Sequence, residues 1–220
     1  MKHILSTFAL VLLVSAAFAQ TADKVKIDMK LPKAAYTGTP KDLGKRKNLE
    51  PPRGNKLRDP IFVPTGCGNL LSKGCKVTAS DEEPIIGELA YVTDGDKEHR
   101  EDSYVELGPG KQWLQVDLGA EHPIYAIGLW HYHGEPRVYK SVVIQLSNDP
   151  DFIDGVITVF NNDDDNILKL GKGRDKEYRE SREGRPVAVD GTKARYVRFW
   201  SNGNTSDDMN QYIEVEVYGK

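Results

Sequence analysis

The chain has 220 residues, 39% of them hydrophobic, with 30 basic side chains against 33 acidic ones. The near balance averages two unlike parts: residues 20–66 hold 11 Lys+Arg and 5 Asp+Glu, a net of +6, whereas residues 67–220 hold 18 and 28, a net of -10. An acidic body of one-domain size with few lysine–aromatic clusters excludes nucleic acid as the main partner, and the apolar content excludes a polytopic membrane protein.

The N-terminus reads Met1-Lys2-His3, an apolar run Ile4–Val14, then Ala16-Ala17-Phe18-Ala19. A basic start, a short apolar stretch and a small-x-small site predict a cleavable signal peptide over 1–19 and a secreted or periplasmic protein. The run is short of the roughly 20 residues a bilayer span takes, and no later stretch offers one, so no transmembrane segment is expected. Residues 20–66 carry Pro32, Pro40, Pro51, Pro52, Pro60 and Pro64 with glycines between them. Proline fixes φ and removes a donor, so this segment reads as an extended basic arm or linker, with Ile61-Phe62-Val63 apolar enough to lie on the body.

The chain's two cysteines, Cys67 and Cys75, open the body. In an exported protein a lone close pair predicts a disulfide, which in the loop-entropy model contributes roughly 2–3 kcal/mol.

From residue 76 the pattern is one of short β-branched or aromatic runs bounded by Gly, Asn, Asp or Pro: 113–118, 124–130, 141–146, 157–160, 186–189, 194–200 and 212–218. No amphipathic stretch of helical length follows the leader. The expectation is an all-β sandwich of about eight strands over 67–220.

Several of these segments resemble one family in order. Asn69–Gly74 with Lys76-Val77-Thr78-Ala79-Ser80, the turn Thr93-Asp94-Gly95-Asp96, Trp113-Leu114-Gln115-Val116-Asp117-Leu118-Gly119, Tyr139-Lys140, Ser147-Asn148-Asp149, Ala194–Arg198 and Glu214–Gly219 are similar to a discoidin, or coagulation-factor (F5/8) type C, domain. The resemblance spans nearly all of 69–220. It implies the galactose-binding-like jelly roll and a role in binding glycans, lipid head groups or proteins. Asn161–Asn166 and Ser201–Thr205 further resemble a group of exported bacterial discoidin-like proteins.

Trp130–Arg137 gathers His131, Tyr132, His133, Glu135 and Arg137 between two predicted strands. Sugar sites use this mixture: a ring for the apolar face of a pyranose, charged groups for its hydroxyls. The alternative places Trp130 and Tyr132 in the core and leaves the histidines in a solvated loop. His131-x-His133 with Glu135 is also a possible transition-metal set, since i and i+2 on a strand point the same way. Asn202 and Asn204, in the polar loop before the last strand, suit sugar hydroxyls as well as ordinary turns.

Asn161–Asn166, with Asp163 and Asp165, concentrates oxygen ligands that suit calcium, or forms a solvated acidic turn. The resemblance implies a second, structural calcium held by Asp94, Asp96 and Glu214. The favoured function is an exported, non-catalytic module for carbohydrate or a glycoconjugate. The alternatives are an envelope adhesion protein docking to a protein partner or wall polymer, its arm on an anionic surface, and a small polysaccharide-active enzyme. For the last, no nucleophile or metalloprotease motif is present.

Overall fold

The computed structural model describes residues 23–36 and 46–220. The signal peptide read at 1–19 lies outside the described residues. The strands are β1 (Lys24–Lys26), β2 (Phe62–Pro64), β3 (Asn69–Leu70), β4 (Lys76–Ala79), β5 (Val105–Leu107), β6 (Lys111–His131), β7 (Val143–Ser147), β8 (Ile157–Asn161), β9 (Arg185–Asn202) and β10 (Asn210–Gly219). A 3-10 turn, Leu89–Thr93, interrupts them. β1 and β2 pair with each other; the other eight form one antiparallel system, ordered β3-β10-β6-β9-β7-β8, with β4 added on β6 and β5 on β10.

Two runs on either side of Gly119 and two on either side of Gly191 prove to be single long strands, β6 and β9. Register shifts between Asp117 and His122 and between Ile124 and Ala126 divide their ladder. The first half of β6 pairs with β4 and with the second half of β9, which carries β7 and β8. The second half of β6 pairs with β10 and the first half of β9. The halves thus belong to two layers of a jelly-roll sandwich. Leu114 and Val116 from one half meet Ile127 and Leu129 from the other in a common core with Ile144, Phe199, Val215 and Val217. Alternation at period two supplies this core, as a half-buried strand requires.

The outward side of the second layer is covered as well. Every residue of β10 is buried. Ala126 and Tyr218 pack with Ile27, Val63 and Cys67 in a separate cluster, flanked by Met29 and Ile61. The described parts of residues 20–66 are therefore extended, as their prolines dictate, but bound along the body rather than hanging from it as a linker. Ionic contacts fasten them: Arg46 pairs with Glu177, Arg53 with Glu183, and Glu50 takes two bonds from Arg58 (3.1 and 2.8 Å) while lying 3.6 Å from Arg185.

The expected disulfide is not formed: Cys67 and Cys75 are both free thiols. Cys67 is held in the arm-side cluster, and Cys75 packs at the edge of the main core, donating its S–H to the Leu71 carbonyl at 3.2 Å. The two sulfurs serve different cores.

Candidate functional site

β6 ends at His131, and the chain turns through Tyr132–Pro136 to Val138 beside the loop that precedes β10. The turn separates the predicted residues by burial. His131 is fully buried, stacked on Tyr139 with ring centroids 4.1 Å apart, and its Nδ1 lies 3.4 Å from Glu180 Oε2. Burial drives its pKa down to about 3 and pushes the Glu180 carboxyl well above its usual range. His133 is also buried and donates Nε2–H to the Lys97 carbonyl at 2.9 Å. Both histidines are interior residues rather than ligand-facing ones.

Tyr132, Glu135 and Arg137 do converge. Arg137 lies over the Tyr132 ring at 4.9 Å and donates Nη2–H to Glu135 Oε2 at 3.0 Å and Nη1–H to Gln211 Oε1 at 3.2 Å. Gln211 also accepts from Tyr139 Oη at 2.6 Å and from Asn204 Nδ2 at 3.2 Å, and donates to Glu106 Oε2 at 2.8 Å. Tyr104 packs against Tyr132 with centroids 5.0 Å apart. Two half-buried tyrosines, an exposed carboxylate and a guanidinium whose plane is fixed from below make a surface that can cover a sugar ring and bond its hydroxyls.

Asn204 is buried and serves the loop: its Nδ2 donates to Asp207 Oδ1 at 2.6 Å and to the Met209 carbonyl at 3.0 Å. Asn202 is half-buried at the end of β9, paired with Lys111. Sequence reading missed Tyr104, Glu106 and Gln211. The signal that could have found them is the polar Gln211 and Glu106 on paired strands, a juxtaposition visible once β5 is set beside β10.

The turn at Asp94–Asp96 lies beside Glu214. Glu214 Oε2 accepts the Gly95 N–H at 3.1 Å, while Oε1 is buried without a hydrogen-bond partner among the described residues. Desolvation first, then Glu216 and Asp94, push the Glu214 pKa up to about 9. Gly95 has φ +88, which glycine adopts without strain. Asp94 Oδ1 caps the Asp96 N–H at 2.7 Å, and Asp96 pairs with Arg100.

The acidic run at 161–166 is satisfied internally. Asp163 is buried and accepts N–H groups from Ile167 at 3.0 Å and Leu168 at 2.8 Å; Asp165 is exposed. The geometry is that of an acidic turn. Among the described residues no three His, Cys, Asp or Glu side chains converge as a metal set; this covers His131, His133 and Glu135, and equally Asp94, Asp96 and Glu214 and the run with Asp163 and Asp165.

The family model of the F5/8 type C domain matches residues 76–215. The chain belongs to this family. Comparison with curated proteins returns no match. Among solved structures, this F5/8 type C domain is similar to chitosan-binding module 1 of a chitosanase/glucanase from Paenibacillus sp. IK-5, at 22% identity and a TM-score of 0.50, over 69% of this chain and 99% of that one. It is also similar to part of a family 89 glycoside hydrolase from Clostridium perfringens, at 22% identity and a TM-score of 0.51, over 70% of this chain and 15% of that one. These likenesses identify the fold of the F5/8 type C domain as the jelly roll of such modules. No helix among the described residues is long and apolar enough to cross a membrane.

Proposed function

We propose that this protein is an exported, non-catalytic carbohydrate-binding module whose ligand lies on Tyr104 and Tyr132. The observation that carries the reading is the tyrosine pair set beside Arg137, with Glu135 and Gln211 completing the polar edge. A rigid aromatic platform with a few oriented polar groups is what sugar recognition needs. Family membership and the jelly roll shared with a chitosan-binding module support it.

Calcium fits the turn beside the last strand as a structural ion. The unpartnered, desolvated Glu214 Oε1 and the neighbouring Asp94 would hold it, with backbone carbonyls and water filling the shell, since calcium takes 6–8 oxygens. Asp96 would join only by releasing Arg100. At 161–166 the bonds already made by Asp163 leave a weaker case for an ion.

The test is binding of the full chain to a broad glycan array with calcium present, followed by calorimetry on the best oligosaccharide. Tyr132→Ala and Tyr104→Ala should each weaken binding at least tenfold while leaving the melting temperature within a few degrees. Absence of binding by folded protein across the array overturns the reading.

A further inference from the structure

We propose that the outward face of the first layer is a second binding groove, and that it takes a carboxylate-bearing sugar unit of an acidic polysaccharide. Period-two alternation turns Trp113, Gln115 and Asp117 of β6 away from the core, next to Trp200, Arg198 and Tyr196 of β9 in register. A solvated sheet face ordinarily carries short polar or charged residues; this one carries Trp113 and Trp200 beside the Arg198 guanidinium, with Tyr196 further along the same face. The groove over it encloses about 490 Å3, within the range of small-ligand sites, and Lys76 and Asp151 stand on its walls.

Arg198 is its centre. The residue is 8% exposed, with its guanidinium between the Trp113 ring at 4.3 Å and the Phe152 ring at 4.1 Å. Phe152 has φ +57, a left-handed backbone uncommon for a bulky residue, held where its ring reaches Arg198. Nε and Nη2 donate to Gln115 Oε1 at 2.9 and 2.6 Å, and Nη2 also to the Pro150 carbonyl at 3.1 Å. Every one of these acceptors is neutral. Among the described residues Nη1 has no partner and no carboxylate lies within ion-pair distance of Arg198.

The carboxylates nearby are otherwise engaged or exposed. Asp117 is held by Arg195 through two bonds, 2.7 and 2.9 Å, and Asp149 accepts three backbone N–H groups. Asp151 is exposed on the rim, where solvent screens it. A buried cation without a counter-ion is costly, and burial lowers the Arg198 pKa to about 10. A ligand carboxylate on Nη1 supplies the missing charge, with the Lys76 ammonium as a second cation. The aromatic rings and the Gln115 edge favour a sugar as the body that carries it.

The experiment titrates the full chain with a galacturonate tetrasaccharide, its methyl ester, a sulfated dextran oligomer of similar length and a Glu-rich peptide, read by calorimetry. The expected result is binding of the free-acid sugar and at least tenfold weaker binding of the ester. Lys76→Gln should weaken it about threefold, the scale of an exposed pair, and Asp151→Asn should strengthen it by a similar factor. Both positions are exposed, so these variants keep the Arg198 stack and the fold. Tyr132→Ala, at the loop end, should leave this binding unchanged, which separates failure here from failure of the loop site. Equal binding of acid and ester, no response to either groove variant, or tighter binding of the sulfated oligomer or the peptide overturns the proposal.

Discussion

Lys97 Nζ lies 2.6 Å from Glu216 Oε1, with both side chains at most 8% exposed. The ammonium also sits 4.6 Å from the centre of the Trp130 ring, and Tyr218 Oη donates to the other Glu216 oxygen at 2.7 Å. Strand β10 presents Glu214 and Glu216 to the side that alternation assigns to solvent, yet the arm and the loop after the 3-10 turn close over it. An ion pair in such a place is worth little net, but breaking one side of it is costly. Lys97→Met is therefore expected to cost about 3–5 kcal/mol in urea unfolding, with much of the loss recovered in Lys97→Met/Glu216→Gln. A single-variant cost below about 1 kcal/mol would mean that Glu216 is solvated.

Glu214 makes stability depend on pH. Its folded pKa, about 9, stands above the ordinary 4.5, so the folded state binds the extra proton between those values. Stability from this group is complete below pH 4.5 and declines as pH rises toward 9. Glu180, raised in the same direction, adds to the decline, whereas His131, lowered to about 3, gives up stability only as pH falls below its ordinary 6.5. Above pH 7, in chelator, wild type should lose stability more steeply than Glu214→Gln. Calcium should flatten the wild-type curve and leave the variant unmoved. Parallel curves for the two proteins above pH 7 would remove Glu214 as the titrating group.

Glu50 fastens the arm. It accepts two bonds from Arg58 and neighbours Arg53 and Arg185, while its backbone N–H bonds the Glu177 carbonyl at 2.8 Å. Glu50→Gln leaves partly buried guanidinium groups without their carboxylate, and a loss of about 2 kcal/mol is expected. Amide exchange at Glu50 and Glu177 should accelerate more than exchange in β6. Uniform acceleration across the domain would show that the arm does not open separately from the sandwich.

The strands were legible because each buries alternate residues against one core: Leu114 and Val116, or Val215 and Val217, are visible in any short window. The merging of 113–118 with 124–130 was not, since Gly119 and Pro123 read as punctuation while the ladder to β9 resumes beyond the bulge. Burial of both faces of β10 also escaped, because its cover comes from Ile27 and Val63, far away in sequence. At the candidate site, Tyr132, Glu135 and Arg137 could be read together because the chain places them side by side. His131 could not be told from a ligand, because only the tertiary stack on Tyr139 and Tyr212 makes it interior. Tyr104 and Gln211 needed the pairing of β5 with β10.

The two thiols offer the simplest check on the packing. Cys67 lies among Ile27, Val63, Ala126 and Tyr218, and Cys75 beside the main core. With no bridge between them, a reducing agent should leave the melting temperature unchanged within about 1 °C. A disulfide worth 2–3 kcal/mol would instead move it by roughly 4–12 °C in a domain of this size. A thiol reagent should modify buried Cys67 slowly in the native protein and both cysteines quickly after unfolding. Cys67→Ser should be the costlier substitution, because Cys67 is buried among Ile27, Val63 and Ala126, with the Tyr125 side chain as a polar neighbour, and Cys75→Ser the milder one, because it is only half-buried and the new O–H keeps the Leu71 carbonyl as acceptor. Equal costs for the two, together with a large shift on reduction, would show that the sulfurs act as one cross-link.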